Sequence, residues 1–249
     1  MKEITLELTN RCYNNCLYCS SRAGIFESDY LEIDKVIQIV KKYNPEWVNL
    51  SGGEPFLYPR LRELVDWLKQ EKCKIKIYTS GNAPGFLDLL AELKCCEVDK
   101  IIFNFNSCHQ KLFDFIAQQK SFGYTRHSML NTILMGFNVE AHIVPMSITM
   151  QTLGDTVKYL TRNGIPKVSI LKLVNQGRCT DNQFLLPTDY GEAYRIKEKY
   201  GDLVRLGSPF NSNLECIAGT DKLVVKSDGQ IIPCECYKDG TNKCERIIL

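Results

Sequence analysis

Cys12, Cys16 and Cys19 are separated by three and then two residues in Leu8-Thr9-Asn10-Arg11-Cys12-Tyr13-Asn14-Asn15-Cys16-Leu17-Tyr18-Cys19. Thiolates at this spacing can converge on one face of a loop, and soft sulfur ligands select iron-sulfur clusters, zinc or copper over hard cations. A structural zinc site wants four protein ligands, whereas a cubane cluster held by three cysteines keeps one iron open for a small molecule. Three buried or zinc-bound cysteines are the plainer reading. A second group, Cys216, Cys234, Cys236 and Cys244, supplies four thiols, enough to close a cubane or a zinc site. The remaining five of the twelve, Cys73, Cys95, Cys96, Cys108 and Cys179, are scattered, and burial as small hydrophobes is their expected state. Cys179 also competes as a fourth ligand for the second group. Clustering of this kind in a chain without an export signal points to metal or cluster ligation in a reducing cytoplasm.

Other residues could serve such a centre. Gly52-Gly53-Glu54-Pro55 is a turn in which glycine permits close approach and Glu54 offers an acceptor for an ammonium. Ser80-Gly81-Asn82 is a second polar turn, equally acceptable as a plain loop. Arg178 follows the last strand of the α/β pattern and reads equally as a surface arginine. His109, His127 and His142 show no ligand spacing to one another, and His142, in a strand pattern, is the one placed to face a lumen.

The elements that must position these residues follow from periodicity. Residues 1–8 alternate as a strand, then Ile33, Val36, Ile37, Val40 and Tyr43 recur at helical spacing up to Asn44-Pro45. A strand over 47–50, a helix opened by Pro59 with the stripe Leu61, Leu64, Val65 and Leu68, and a strand over 74–78 come next. The rhythm continues with helix 86–93, strand 100–105, helices 110–119 and 125–135, strand 139–144, helix 153–162 and strand 167–174. Six strands alternating with helices predict a parallel sheet with right-handed crossovers. They are too few to close a full (β/α)8 barrel, so the expected fold is α/β, a partial (β/α)6 TIM-type barrel. The cysteine loop and both polar turns then fall at the carboxyl ends of strands, where such folds place chemistry. After a helix over 188–200 the pattern changes to a hairpin, 223–226 and 230–233, which places a boundary near 203. The domains are thus 1–203 for the barrel and 204–249 for a small C-terminal extension.

The net charge of +2 gives no argument for nucleic acid or membrane as partner. The N-terminus is not a secretory signal, and no apolar run is long enough to span a bilayer.

The cysteine spacing with Tyr18 before the third cysteine, and Gly-Gly-Glu-Pro after the second strand, resemble the signatures of the radical S-adenosylmethionine (radical SAM) enzymes. Cys216, twelve residues, Gly229, four residues and Cys234 are similar to the opening of the SPASM and twitch extensions. The longer SPASM form continues with a dense second run of cysteines, whereas only Cys236 and Cys244 follow here. The resemblance implies a [4Fe-4S] cluster on Cys12, Cys16 and Cys19 whose open iron is chelated by S-adenosylmethionine. Gly52, Gly53 and Glu54 would bind its amino group, Ser80 and Asn82 its ribose or carboxylate, and Arg178 matches a basic position of the peptide-modifying branch. It further implies an auxiliary iron-sulfur cluster on the C-terminal cysteines, which makes 204–249 a small C-terminal cluster-binding extension, and a flavodoxin- or ferredoxin-type reductant.

The family's chemistry begins with one electron passed from the reduced cluster into the sulfonium. A C–S bond breaks, and the 5'-deoxyadenosyl radical takes hydrogen from an unactivated carbon. The cofactors carry the difficult step and the protein supplies orientation and a closed lumen. The expected substrate is a ribosomally made peptide or protein side chain. A small-molecule radical SAM dehydrogenase or cofactor-biosynthesis enzyme is the alternative, kept open by the short extension and by the lack of a recognisable leader-peptide-binding domain. An iron-sulfur electron carrier or zinc protein without radical chemistry would have no use for Gly52 to Glu54.

Overall fold

A computed structural model of the chain describes residues 1–94, 97–211 and 215–241. The strands are β1 (Glu3–Glu7), β2 (Trp47–Ser51), β3 (Lys74–Thr79), β4 (Lys100–Asn104), β5 (Val139–Ile143), β6 (Val168–Ile170), β7 (Val204–Leu206), β8 (Lys222–Val225) and β9 (Ile231–Ile232). The helices are α1 (Ile33–Tyr43), α2 (Leu61–Gln70), α3 (Phe86–Leu93), α4 (Gln110–Ala117), α5 (Phe122–Leu134), α6 (Leu153–Arg162) and α7 (Gly191–Tyr200). Among the described residues the strands form one sheet in the order β7-β6-β5-β4-β3-β2-β1-β8-β9. Every neighbouring pair is parallel except β8 with β9. The two edges, β7 and β9, do not pair with each other, so the sheet is an open α/β partial barrel.

The pleat sorts the strands into two faces, because successive side chains point to opposite sides. Register places Val225, Leu6, Leu50, Ile77, Ile101 and Val139 in one row across six strands. All are buried, and this is the face the helices cover. The helices present matching stripes, such as Ile33, Val36, Ile39 and Val40 on α1 and Leu61, Leu64, Val65 and Leu68 on α2, as the 3.6-residue period requires. Asn44 ends α1 in a left-handed conformation, its amide donating to Val40 O, and Pro45 prevents the helix from continuing.

The other face is polar. Thr5, Asn49, Lys76 and Lys100 form one row, Tyr78, Ile102 and Glu140 another, and Asn104, His142, Ser169 and Arg205 a third. Parallel strands covered on both sides normally read as continuous apolar runs. Polar residues at every second position here line an interior cavity instead of a second helix layer.

Three expectations change in detail. The sheet continues past the sixth strand through β7, and the hairpin of β8 and β9 joins it along β1, so segments beyond residue 203 contribute strands to the same sheet. Strand β6 spans three residues, not 167–174: Leu171 N still donates to Ile143 O, after which Gln176 N bonds back to Val174 O and the chain turns away. Helix α2 begins at Leu61 and not at Pro59, the preceding Pro55–Leu57 forming a separate 3-10 turn. No helix among the described residues is long and apolar enough to cross a membrane.

Because Ile77 is fully buried in the longest apolar row, Ile77→Ala is expected to cost about 2–5 kcal/mol of stability by chemical denaturation.

Candidate active site

The loop after β1 carries the three cysteines, and its shape is fixed from outside. Gly53 N donates to Thr9 O at 2.5 Å and Glu54 N to Arg11 O at 2.8 Å, which presses the turn after β2 against the start of the cysteine loop. Gly52 has φ +128°, and a Cβ at Gly52 or Gly53 would collide with the backbone of Thr9 or Arg11. The two glycines are therefore required by a close approach of the chain to itself. From the opposite side Arg178 donates through Nε to Cys16 O at 2.9 Å and through a terminal nitrogen to Ala23 O at 2.5 Å, while its amide donates to Cys19 O at 2.9 Å. Arg178 is thus a clamp on the cysteine loop and not a surface arginine.

Glu54 is fully buried. Its Oε1 accepts from Thr79 Oγ1 at 2.7 Å and Phe56 N at 3.3 Å, and its Oε2 accepts from Ser80 N at 2.8 Å and lies 2.5 Å from Ser80 Oγ. Burial pushes its carboxyl above the ordinary value, opposed by these hydrogen bonds. Ser80 Oγ also lies 2.6 Å from Asn82 Oδ1, and Asn82 Nδ2 donates to Asn14 Oδ1 at 2.7 Å. A continuous polar chain thus runs from Glu54 through Ser80 and Asn82 back to the cysteine loop.

A cavity of about 860 Å³ opens along the polar face, and Cys12, Cys16, Cys19, Gly52, Gly53, Ser80 and Arg178 line it. So do Cys216, Cys234 and Cys236. The two cysteine groups, some two hundred positions apart in sequence, therefore face one space. Cys244 lies outside the described residues, as do Cys95 and Cys96. Cys179 is fully buried in a small apolar cluster with Ile116, Met146, Leu173 and Leu185, and does not line the cavity. Cys73 is buried as well, whereas Cys108 is only half-buried.

None of the described cysteines is in a disulfide. Burial, then repulsion from Cys16, pushes the Cys12 thiol well up. Burial and Cys19 push Cys16 up to about 12. Thiols held protonated in this way become thiolates when a cationic centre replaces their protons. Cys12, Cys16 and Cys19 act on one another electrostatically and share the cavity, so the donor set suits a cluster. No three His, Cys, Asp or Glu side chains among the described residues converge on one metal ion. A cubane takes each thiolate on a different iron, and so spaces its ligands more widely than a single ion does. In the C-terminal group, a hydrogen bond with Cys236 brings Cys234 down to about 7.

The lumen floor holds charges that the cysteine pattern did not indicate. Glu140 is paired with Lys100 at 2.7 Å, receives His142 Nε2 at 3.1 Å and Ser169 Oγ at 2.5 Å, and lies 3.9 Å from Arg205. Burial acts to raise its pKa, but the hydrogen bonds from His142, Lys100 and Ser169 outweigh it and hold the carboxyl well below its usual range. Its contribution to stability is present above the ordinary carboxylate pKa and is lost as pH falls below it. Burial pushes His142 down, against Glu140, so the neutral ring donates from Nε2 and keeps Nδ1 as an acceptor. A second set joins Lys222 to Glu235 at 2.8 Å and to Glu3 at 3.3 Å, with Lys76 3.9 Å from Glu3. Beside the cysteine loop, Tyr18 OH donates to Asn104 Oδ1 at 2.7 Å and accepts from Asn106 Nδ2 at 2.8 Å. The signal that finds these residues is the polar alternation Glu3-Thr5-Glu7, Lys76-Tyr78 and Glu140-His142 within strands of a parallel sheet.

An open parallel α/β partial barrel with a three-cysteine loop and a glycine-acid turn at the carboxyl ends of adjacent strands defines a class of cofactor-dependent enzymes that work inside a barrel lumen. The model of the radical SAM superfamily matches residues 6–174, and the chain belongs to that family. It is 22% identical over 271 residues to GTP 3',8-cyclase of Aquifex aeolicus, covering 94% of this chain and 82% of that protein. It is 24% identical over 141 residues to Molybdenum cofactor biosynthesis protein 1 of Bos taurus, covering 54% of this chain but 22% of the relative, and 22% identical to the probable GTP 3',8-cyclase of Methanothermobacter marburgensis, of which it spans 60%. In fold it is similar to Streptococcus suis SuiB bound to precursor peptide SuiA, with TM-score 0.76 and 15% identity over 97% of this chain and 61% of SuiB. It is also similar to native anSMEcpe with bound AdoMet, with TM-score 0.65 and 14% identity over 100% of this chain and 81% of that one. The family implies a [4Fe-4S] cluster and S-adenosylmethionine.

In the cluster-free protein, iodoacetamide is expected to modify Cys234 with a midpoint near its pKa of about 7, while Cys16, at about 12, stays unmodified over the same pH range. Peptide mapping of the alkylated protein against pH checks the order.

Proposed function

We propose that this radical SAM enzyme holds its cluster on Cys12, Cys16 and Cys19 and its S-adenosylmethionine along Gly52–Glu54 and Ser80–Asn82, and acts on the side chain of a ribosomally made peptide or protein. The carrying observation is that Cys12, Cys16 and Cys19 line a single cavity with Cys216, Cys234 and Cys236 and with Gly52, Gly53 and Ser80 of the two polar turns. When bound, the cluster and S-adenosylmethionine supply the electron and the radical that removes hydrogen from the substrate. The chain's own residues orient and enclose. Gly52 and Gly53 expose backbone at the mouth, Glu54, buried behind the cavity lining, holds the Ser80 turn in place and puts its negative charge behind the site of the methionine ammonium, and Arg178 fixes the loop that presents Cys16 and Cys19. The cavity, about 860 Å³, lies within the range of small-molecule and cofactor sites. The fold shared with SuiB over 97% of this chain supports the peptide reading.

A second reading, a small polar molecule as in cofactor biosynthesis, is favoured by the charged floor of Lys76, Lys100 and Arg205 beside the neutral His142 and by the GTP 3',8-cyclases among the relatives. Release of 5'-deoxyadenosine by reduced enzyme, stimulated by candidate peptides or by nucleotides, separates the two. We further propose that 204–249 is a twitch-like extension whose Cys216, Cys234, Cys236 and Cys244 hold an auxiliary cluster, and that the reductant is of flavodoxin or ferredoxin type.

Replacing Cys12, Cys16 and Cys19 together by Ala is expected to abolish 5'-deoxyadenosine formation while leaving the fold intact by circular dichroism. Persistent cleavage in that variant would refute the assignment. Cys216→Ala, purified without oxygen, is expected to lose about four irons per chain and keep the N-terminal cluster. Loss of zinc instead would indicate a structural pin, and no loss of metal would remove the auxiliary cluster.

A further inference from the structure

Lys238 is a lysine that the proposed chemistry does not use, and it is buried at the cavity wall. Its side chain is 11% exposed and its ammonium pairs with Glu7, at the carboxyl end of β1, whose side chain is 3% exposed. The same nitrogen donates to Ser21 Oγ at 2.7 Å and Ser20 Oγ at 3.1 Å, the two residues directly after Cys19. Ser21 Oγ in turn donates to Glu7 Oε1 at 3.0 Å. An ammonium has three protons, and each has an acceptor here. Desolvating two charges is costly unless geometry and further hydrogen bonds compensate, which this arrangement provides.

The contact joins distant parts of the chain. Residues 234–238 carry Cys234 and Cys236, and the segment is tied down independently at Glu235. Glu235 pairs with Lys222 at 2.8 Å, its Oε1 accepts from Thr5 Oγ1 at 3.1 Å, and its carbonyl accepts from Gln176 Nε2 at 2.5 Å. Lys238 then carries the tether from β1 onto the cysteine loop itself. The charges that act on it are Glu7, Cys19 and Glu235.

We propose that Lys238 is a positioning residue that locks the segment bearing Cys234 and Cys236 onto the loop bearing Cys19, and that the Lys238–Glu7 pair sets the charge felt by a cluster on Cys12, Cys16 and Cys19. The second clause rests on the ligand assignment proposed above. Reduction adds an electron to the cluster, so a neighbouring cation favours the reduced form and an uncompensated anion opposes it. Polar groups behind the ligands tune a metal centre in this way without touching it. The paired charges nearly cancel, and removing either one should expose the other.

The test is an anaerobic redox titration of the cluster followed by electron paramagnetic resonance at mildly alkaline pH, with amide hydrogen exchange on cluster-free protein. Lys238→Met should move the midpoint potential to a more negative value, and Glu7→Gln should move it the other way. The double variant should return toward wild type, and Lys238→Arg should stay near it. Exchange protection should fall together over residues 19–22 and 234–238 in Lys238→Met. A folded Lys238→Met protein with unchanged potential and unchanged exchange overturns the proposal. If Lys238→Met does not fold, Glu7→Gln still decides the electrostatic clause by the sign of its shift. A wild-type protein that assembles no cluster on Cys12, Cys16 and Cys19 would overturn the ligand assignment and the electrostatic clause with it, while the exchange experiment would still test the lock.

Discussion

The architecture depends on the two-residue alternation of a parallel sheet held in register. The helix-facing row from Val225 through Leu6, Leu50, Ile77 and Ile101 to Val139 is removed from water, and burial on this scale is the dominant favourable contribution to such a fold. The same register forces Thr5, Asn49, Lys76 and Lys100 to the opposite side. A slip of one residue would bury the charges under the helices and turn the apolar row into the lumen. Stability and a polar reaction chamber therefore come from one constraint.

Strand β1 is where this constraint meets chemistry. It lies between β2 and β8, it launches the cysteine loop, and its lumen-facing residues Glu3, Thr5 and Glu7 each hold a partner from elsewhere in the chain. A loop by itself would present Cys12, Cys16 and Cys19 in many arrangements. Here its backbone is fixed by Gly53 and Glu54 amides on one side and by Arg178 on the other. Gly177 completes the second clamp, since a side chain there would strike the carbonyls of Cys19 and Ser20. Preorganisation of this kind matters for a cofactor-dependent enzyme, because the protein's contribution is orientation and a controlled electrostatic setting.

The lumen satisfies its own charges before any ligand enters. Lys100, His142 and Ser169 all engage Glu140, and Lys222 bridges Glu3 and Glu235. Such networks resist collapse of the cavity and fix side-chain rotamers at its floor.

The sequence by itself determined the order of β1 to β6 and their helices, the open parallel sheet and the cysteine motif, since each rests on local periodicity or spacing, but it did not reveal β7. It also placed the cysteine loop and both polar turns at one end of the sheet, because parallel strands share their carboxyl ends. It did not determine that Glu54 spends its hydrogen bonds on Thr79, Ser80 and Phe56, that Gly52 and Gly53 pack against Thr9 and Arg11, or that Arg178 grips the cysteine loop. Burial is the expected state of Cys179 from sequence, but only the structure, by placing it in an apolar cluster, sets aside its competing role as a ligand, and the sequence could not show that β8 pairs with β1 and brings Cys216, Cys234, Cys236 and Lys238 to the N-terminal cysteines. These are contacts across tens to hundreds of residues, and no local pattern encodes them. They follow only once burial of the apolar rows fixes the strand order and leaves each polar group to find a partner within the space that remains.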